Sequence, residues 1–148
     1  MTNIFDVASY ILHRYGSMTT MKLQKLVFYT QSEYMRRFKR PLFAEDFYAW
    51  RNGPVSPDLF DKHRSLFLIR ENALDAFSHN RLSQDEQETT DAVCGSLKEL
   101  SGSELSERTH CEAPWKRARK GLRPEDPGMC LISKQSMLDY YSNHSIIN

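Results

Sequence analysis

The feature that most constrains this chain is the segment from about residue 19 or 20 to residue 39, which is apolar on two sides at once if it is helical. Leu23, Leu26, Val27 and Tyr34 form one stripe at helical spacing, and Met21, Phe28 and Met35 form another. A surface helix needs a single apolar stripe, so this one belongs in the middle of a bundle with other elements around it. Thr19 or Thr20 can cap its start. Arg36, Arg37, Lys39 and Arg40 bring cations to its negative end, and Pro41 stops it.

The remaining residues supply candidates for that surround. Ile4, Val7, Ala8, Ile11, Leu12 and Tyr15 repeat on one helical face, with Thr2 or Asn3 as N-cap and Gly16 placed for a left-handed C-cap. Residues 47–51 (Phe-Tyr-Ala-Trp-Arg) lose the helical period and read as a short strand. Residues 52–57 read as a turn, and Ser56-Pro57 opens a helix over about 57–65. Residues 66–80 carry the weakest pattern, with a second short strand at 67–70 completing a small β-hairpin. Ser83 with Glu86 forms a capping box for a helix over 84–100, and Ser101 with Glu104 starts another that runs through 109. Pro114 opens a helical turn over 115–120 closed by Gly121, and Ser133 caps a last helix carrying Met137, Tyr140 and Tyr141. The expected fold is mainly α: one compact helical domain over residues 1–148 with a small β-hairpin or extended segment.

With 148 residues, 40% of them apolar and 26% charged, a sequence of this kind can bury its own core. A formal net charge of +1 gives no long-range field to recruit nucleic acid or an acidic membrane. No run approaches the ~20 apolar residues that span a bilayer, and the N-terminus has no basic stretch leading an apolar one, so a cytoplasmic location without membrane contact is expected. Cys94, Cys111 and Cys130 are odd in number and widely spaced, which reads as free thiols.

Chemistry-bearing patterns are sparse. His13, His63, His79, His110 and His144 include no pair spaced to aim two imidazoles at one metal. His110-Cys111-Glu112 are adjacent and so diverge. Motifs for a strained serine nucleophile, a phosphate cradle or a dinucleotide site are missing, and Cys111 with His110, or Asp58 with His63, lacks a third group to orient a base. No metal, cofactor or enzymatic activity is expected. Lys116, Arg117, Arg119, Lys120 and Arg123 cluster beside Trp115, as a nucleic-acid contact or as a solvated helix face. The run from Trp50 to Val55 joins a rigid Gly-Pro bend to an aromatic and an arginine, residue types favoured at protein interfaces. Trp50 as core and Arg51 as a backbone anchor is the competing reading.

Three runs together resemble a known family. Lys22-Leu23-Gln24-Lys25-Leu26-Val27-Phe28-Tyr29 resembles the K-L-Q-K-L-hydrophobic-Y signature of the Panacea domain, the SocA-like antitoxin domain also known in prophages as phage-associated protein GepA. Pro41-Leu42-Phe43 followed by Ala49-Trp50-Arg51-Asn52-Gly53-Pro54-Val55 resembles its P-L-F and A-W-x-x-G-P-V runs. Leu105-Ser106, Thr109-His110, Pro114-Trp115 and Ala118-Arg119 resemble its L-S-x-x-T-H, P-W and A-R runs. The resemblance spans roughly residues 4–142.

It implies a mostly helical fold from a bacterium or phage, with Leu23, Lys25, Leu26, Tyr29, Gly53, Pro54, Val55, Thr109 and Pro114 as structural signature positions. It also implies an antitoxin that neutralises a protein toxin, encoded by a neighbouring gene, through direct protein–protein binding. The alternatives are a proteolytic adaptor delivering the toxin to a protease, and a nucleic-acid-binding prophage regulator. Trp50, Arg51, Asn52, His110, Trp115 and Arg119 are the candidate partner-binding residues, on the expectation that residues 50–55 and 109–119 lie together in the fold.

Overall fold

A computed structural model describes residues 1–77 and 80–147. His79, one of the five histidines considered above, lies outside the described residues, as does part of the weakly patterned segment 66–80. The chain folds as helix α1 (Ile4–Tyr15), strand β1 (Met18–Thr19), helix α2 (Thr20–Phe38), strands β2 (Phe47–Trp50) and β3 (Gly53–Val55), and helix α3 (Pro57–His63). Strand β4 (Leu68–Ile69), helices α4 (Gln84–Leu97), α5 (Gly102–His110) and α6 (Ala113–Ala118), strand β5 (Leu131–Ile132) and helix α7 (Lys134–Tyr141) follow. The fold is mainly α.

Helix α2 is the hub. It packs against α1, α4, α5, α7 and strand β3, and every residue from Leu23 to Met35 is buried. The two predicted stripes therefore understate its burial, because the helix is enclosed all round. Enclosure forces its polar side chains to find partners. Thr30 and Ser32 hydroxyls donate to the carbonyls of Leu26 and Phe28 one turn back, at 2.7 and 3.0 Å. Gln31 grips the backbone after Pro41, donating to the Phe43 carbonyl at 2.8 Å and accepting from the Leu42 amide at 2.8 Å. The Glu33 carboxylate accepts from Arg36 and Arg37; burial would raise its pKa, but these two guanidiniums outweigh that and hold it below the usual carboxylate value.

The caps follow the sequence closely. Asn3 with Asp6, Ser83 with Glu86 and Ser101 with Glu104 form capping boxes, and Thr19, Ser56 and Ser133 cap α2, α3 and α7. Gly16 differs from expectation. Its φ of 87° needs glycine, but its ψ of −179° is extended rather than left-handed helical, because the backbone leaves α1 straight into β1. Helices α3 and α4 stop at His63 and Leu97, short of the predicted 65 and 100, and α6 begins at Ala113 with Pro114 in its second position.

The predicted hairpin is present with a different partner. Residues 53–55, expected as turn, form β3 and pair antiparallel with β2, so that only Arg51 and Asn52 link the strands. Gly53, at φ 114°, permits this tight reversal. Pro54 is tolerated because β3 lies at the edge of the three-stranded sheet, where no amide is required of it. The strand foreseen near 67–70 exists as β4 but pairs with β1. Its place beside β2 is taken by β5, too short to show a strand pattern in sequence.

Candidate functional site

The β2–β3 hairpin lies over the N-terminal half of α2, and three segments far apart in sequence meet there. From α2, the Gln24 amide pairs with Ser56 like a neighbouring strand. Its Oε1 accepts from the Ser56 amide at 2.9 Å, and its Nε2 donates to the Ser56 carbonyl at 3.2 Å. The same Nε2 lies 3.0 Å from His63 Nε2. Since the amide nitrogen can only donate, that ring nitrogen is an acceptor and the imidazole is neutral. Burial, reinforced by the charge of Lys25, pulls the His63 pKa below its ordinary value in agreement with this.

From α5, Ser106 donates to the Asn52 carbonyl in the hairpin turn, and Thr109 donates back to the Ser106 carbonyl at 2.6 Å. From α6, the Trp115 indole N–H donates to the Trp50 carbonyl at 2.8 Å. His110 stacks on Trp115 with ring centroids 4.0 Å apart. Residues 50–55 and 109–119 are therefore in direct contact, as expected from the sequence.

The candidate residues divide by exposure. Arg51 and Asn52 are exposed at the turn, Trp50 and His110 are half-buried, and Trp115 is buried. Arg119 is a correction. Expected on the surface, it is 4% exposed and donates to the carbonyls of Ala49, Arg123 and Asp126. Its guanidinium also lies over the Trp115 ring at 5.1 Å. It ties the loop after α6 to β2.

That burial also thins the basic cluster. Lys116, Arg117, Lys120 and Arg123 remain exposed, and of these Arg123 reaches Glu125 and Asp126 at 3.6 and 3.5 Å in surface ion pairs. His110, Cys111 and Glu112 do diverge. Cys111 is exposed, while Glu112 accepts from the Tyr29 and Tyr141 hydroxyls at 2.6 and 2.8 Å. Among the described residues no three His, Cys, Asp or Glu side chains gather as a metal site, and no helix is long and apolar enough to cross a membrane.

A cavity of about 220 Å³ opens between hairpin and helices, lined by Met21, Gln24 and Lys25 of α2, by Trp50, Arg51 and Val55, and by Phe60 and His63 of α3. Phe60 sets its edge against Trp50 at 5.0 Å and against His63 at 5.3 Å. On the far side of Trp50 and Arg51 a second hollow is bounded by Pro127, Gly128 and Met129. Thr20, also on the cavity wall, holds the segment before β4. Its amide donates to the Phe67 carbonyl at 2.9 Å, and its hydroxyl donates to the Leu66 carbonyl at 3.1 Å. Next to the cavity, then, stand Leu66, Phe67 and Leu68, with Phe67 80% exposed.

Sequence reasoning missed the cavity, the Gln24–Ser56–His63 node and the apolar run 66–68. Lys25 was read only as a signature position. Its one sequence signal is a charge set between Leu23 and Leu26 of the apolar stripe.

The family model for the antitoxin SocA-like, Panacea domain matches residues 23–116, which takes in α2, the hairpin, α5 and the start of α6. No curated protein and no solved structure matches the sequence. With well over half its length covered by that one model, the chain belongs to the SocA-like antitoxin family of Panacea domains.

Proposed function

We propose that this protein is an antitoxin that neutralises a protein toxin by binding it, without catalysis or cofactor, through the surface formed by the β2–β3 turn, the cavity mouth and residues 66–68. Membership in the family supports the antitoxin role in general. The observation that carries the surface assignment is the exposed run Leu66, Phe67 and Leu68 beside an open, partly apolar cavity whose other lip is Arg51. Contiguous exposed apolar side chains rimmed by polar ones are characteristic of protein-binding surfaces. The nucleic-acid alternative is weaker. Of the five cations it needs, Arg119 is buried within the fold and Arg123 shares its charge with Glu125 and Asp126 in surface ion pairs, which weakens the field available to a phosphate backbone.

The test is co-expression with the product of the neighbouring reading frame. That product alone is expected to arrest growth, and the wild-type antitoxin to restore it. The Arg51→Ala and Phe67→Ser variants are expected to keep their melting temperature and lose rescue. Full rescue by both places the interface elsewhere. Rescue that disappears in a protease-deficient host replaces occlusion with delivery of the toxin to a protease.

A further inference from the structure

Among the six polar, non-aromatic side chains buried between Leu23 and Met35, five have a hydrogen-bonding partner, and Lys25 has none among the described residues. Lys25 is 1% exposed, forms no ion pair among the described residues, and lines the cavity. Lysine is almost never buried this completely without a counter-charge, because removing an ammonium from water is costly and only a paired anion offsets it. None of the residues lining the cavity is acidic. The other charged or titratable groups on the wall are Arg51 and His63, neither of which supplies negative charge, and His110 of α5 also senses the Lys25 charge. Among the described residues two further buried nitrogens lack a partner, the indole Nε1 of Trp50 and Nε2 of His110. Lys25 and Trp50 both line the cavity, whose remaining wall includes Met21, Val55 and Phe60.

We propose that the cavity receives a carboxylate on a short apolar stem, borne by the protein partner on an acidic side chain or at its own C-terminus, which pairs with Lys25 and the Trp50 indole N–H. The stem lies against Met21, Val55 and Phe60, and the partner's adjoining surface covers Phe67. Lys25 is the one buried cation on the wall, and its single charge matches a carboxylate rather than a phosphate dianion. This inference rests on the antitoxin reading for the bearer of the carboxylate, but not for the cavity's chemistry.

Two measurements separate those parts. In the first, the purified protein is titrated with butyrate and with butyramide, its uncharged isostere, while the Lys25 ε-methylene is followed by NMR. Butyrate is expected to bind and to raise the Lys25 pKa from about 7, with affinity falling about tenfold per pH unit above that value as the ammonium is lost. Butyramide is expected to leave it unchanged. Equal responses to the two probes, or butyrate binding that survives Lys25→Met, overturn the carboxylate site. Lys25→Met replaces a buried charge by an apolar side chain of similar length, so it is expected to fold. In the second, the affinity for the neighbouring gene product is compared between wild type and Lys25→Met. A loss of about thirtyfold or more is expected for a desolvated charge pair. Equal affinity overturns the partner-borne carboxylate. A wild type that binds no such product overturns the antitoxin reading and that bearer together, while the butyrate result still decides the cavity.

Discussion

Gly53 sits directly on the stem of Lys25: a β-carbon at position 53 would come within 2.6 Å of Lys25 Cε and 2.9 Å of Thr109 Oγ1. Contact this close joins the three family segments at one point, since α2 brings the lysine, the hairpin the glycine and α5 the threonine. It also gives the glycine two separate reasons to be there, space and a φ of 114°. Gly53→Ala is expected to destabilise the protein by about 2–4 kcal/mol through backbone strain and overpacking. Chemical denaturation measures it, and a change below about 1 kcal/mol would show that hairpin and helix part readily.

Lys25 makes a signed prediction for pH. Burial pushes its ammonium down to about 7, well below the ~10.4 of an unfolded polypeptide. Below pH 7 both states are protonated and the full cost of burying the charge is present. Between about 7 and 10.4 the unfolded state holds the extra proton, so this group makes stability rise with pH. At about 1.4 kcal/mol per unit the relief amounts to a few kcal/mol. Cys94, whose thiol burial pushes up to about 12, acts in the opposite direction once an unfolded thiol begins to ionise near about 8.5. The cleanest window is therefore about pH 7 to 8. Lys25→Met is expected to be more stable than wild type at pH 6, with the difference shrinking as pH rises through that window. Parallel stability curves for the two proteins would show that Lys25 keeps an ordinary pKa.

The two arginines of the site should behave as opposites. Arg119→Ala strands the buried carbonyl of Ala49 and the half-buried one of Asp126, at a cost of about 2–4 kcal/mol. Arg51 is exposed at the hairpin turn, and Arg51→Ala should shift Tm by no more than about 2–4 °C. Thermal melts of the pair check both, and equal shifts would contradict the division into anchor and surface.

Leu26, 1% exposed in the all-round buried stretch of α2, tests the hub. Leu26→Ala is expected to cost about 2–5 kcal/mol by opening a cavity that its neighbours cannot fill. An unchanged thermal midpoint would show that α2 is not central.

Local chemistry was legible in the sequence. Capping by Asn3, Ser56, Ser83, Ser101 and Ser133, termination of α2 before Pro41, and its double apolar stripe all depend on residues within a turn or two of one another. The mainly helical class followed from these, and the family segments from the resemblance of three short runs to a known signature. Strand pairing did not. Which partners β2 takes depends on where α2 holds the backbone, and two- or three-residue strands such as β3 and β5 carry no period to read. Burial of charge was equally hidden. Lys25 and Arg119 look like surface cations in sequence, and only packing of the hairpin over α2 and of α6 against β2 buries both almost completely. Sequence thus determined the helices and the family. Tertiary structure decided which cation became an anchor, held by backbone carbonyls, and which was left beside an open cavity with no counter-charge among the described residues.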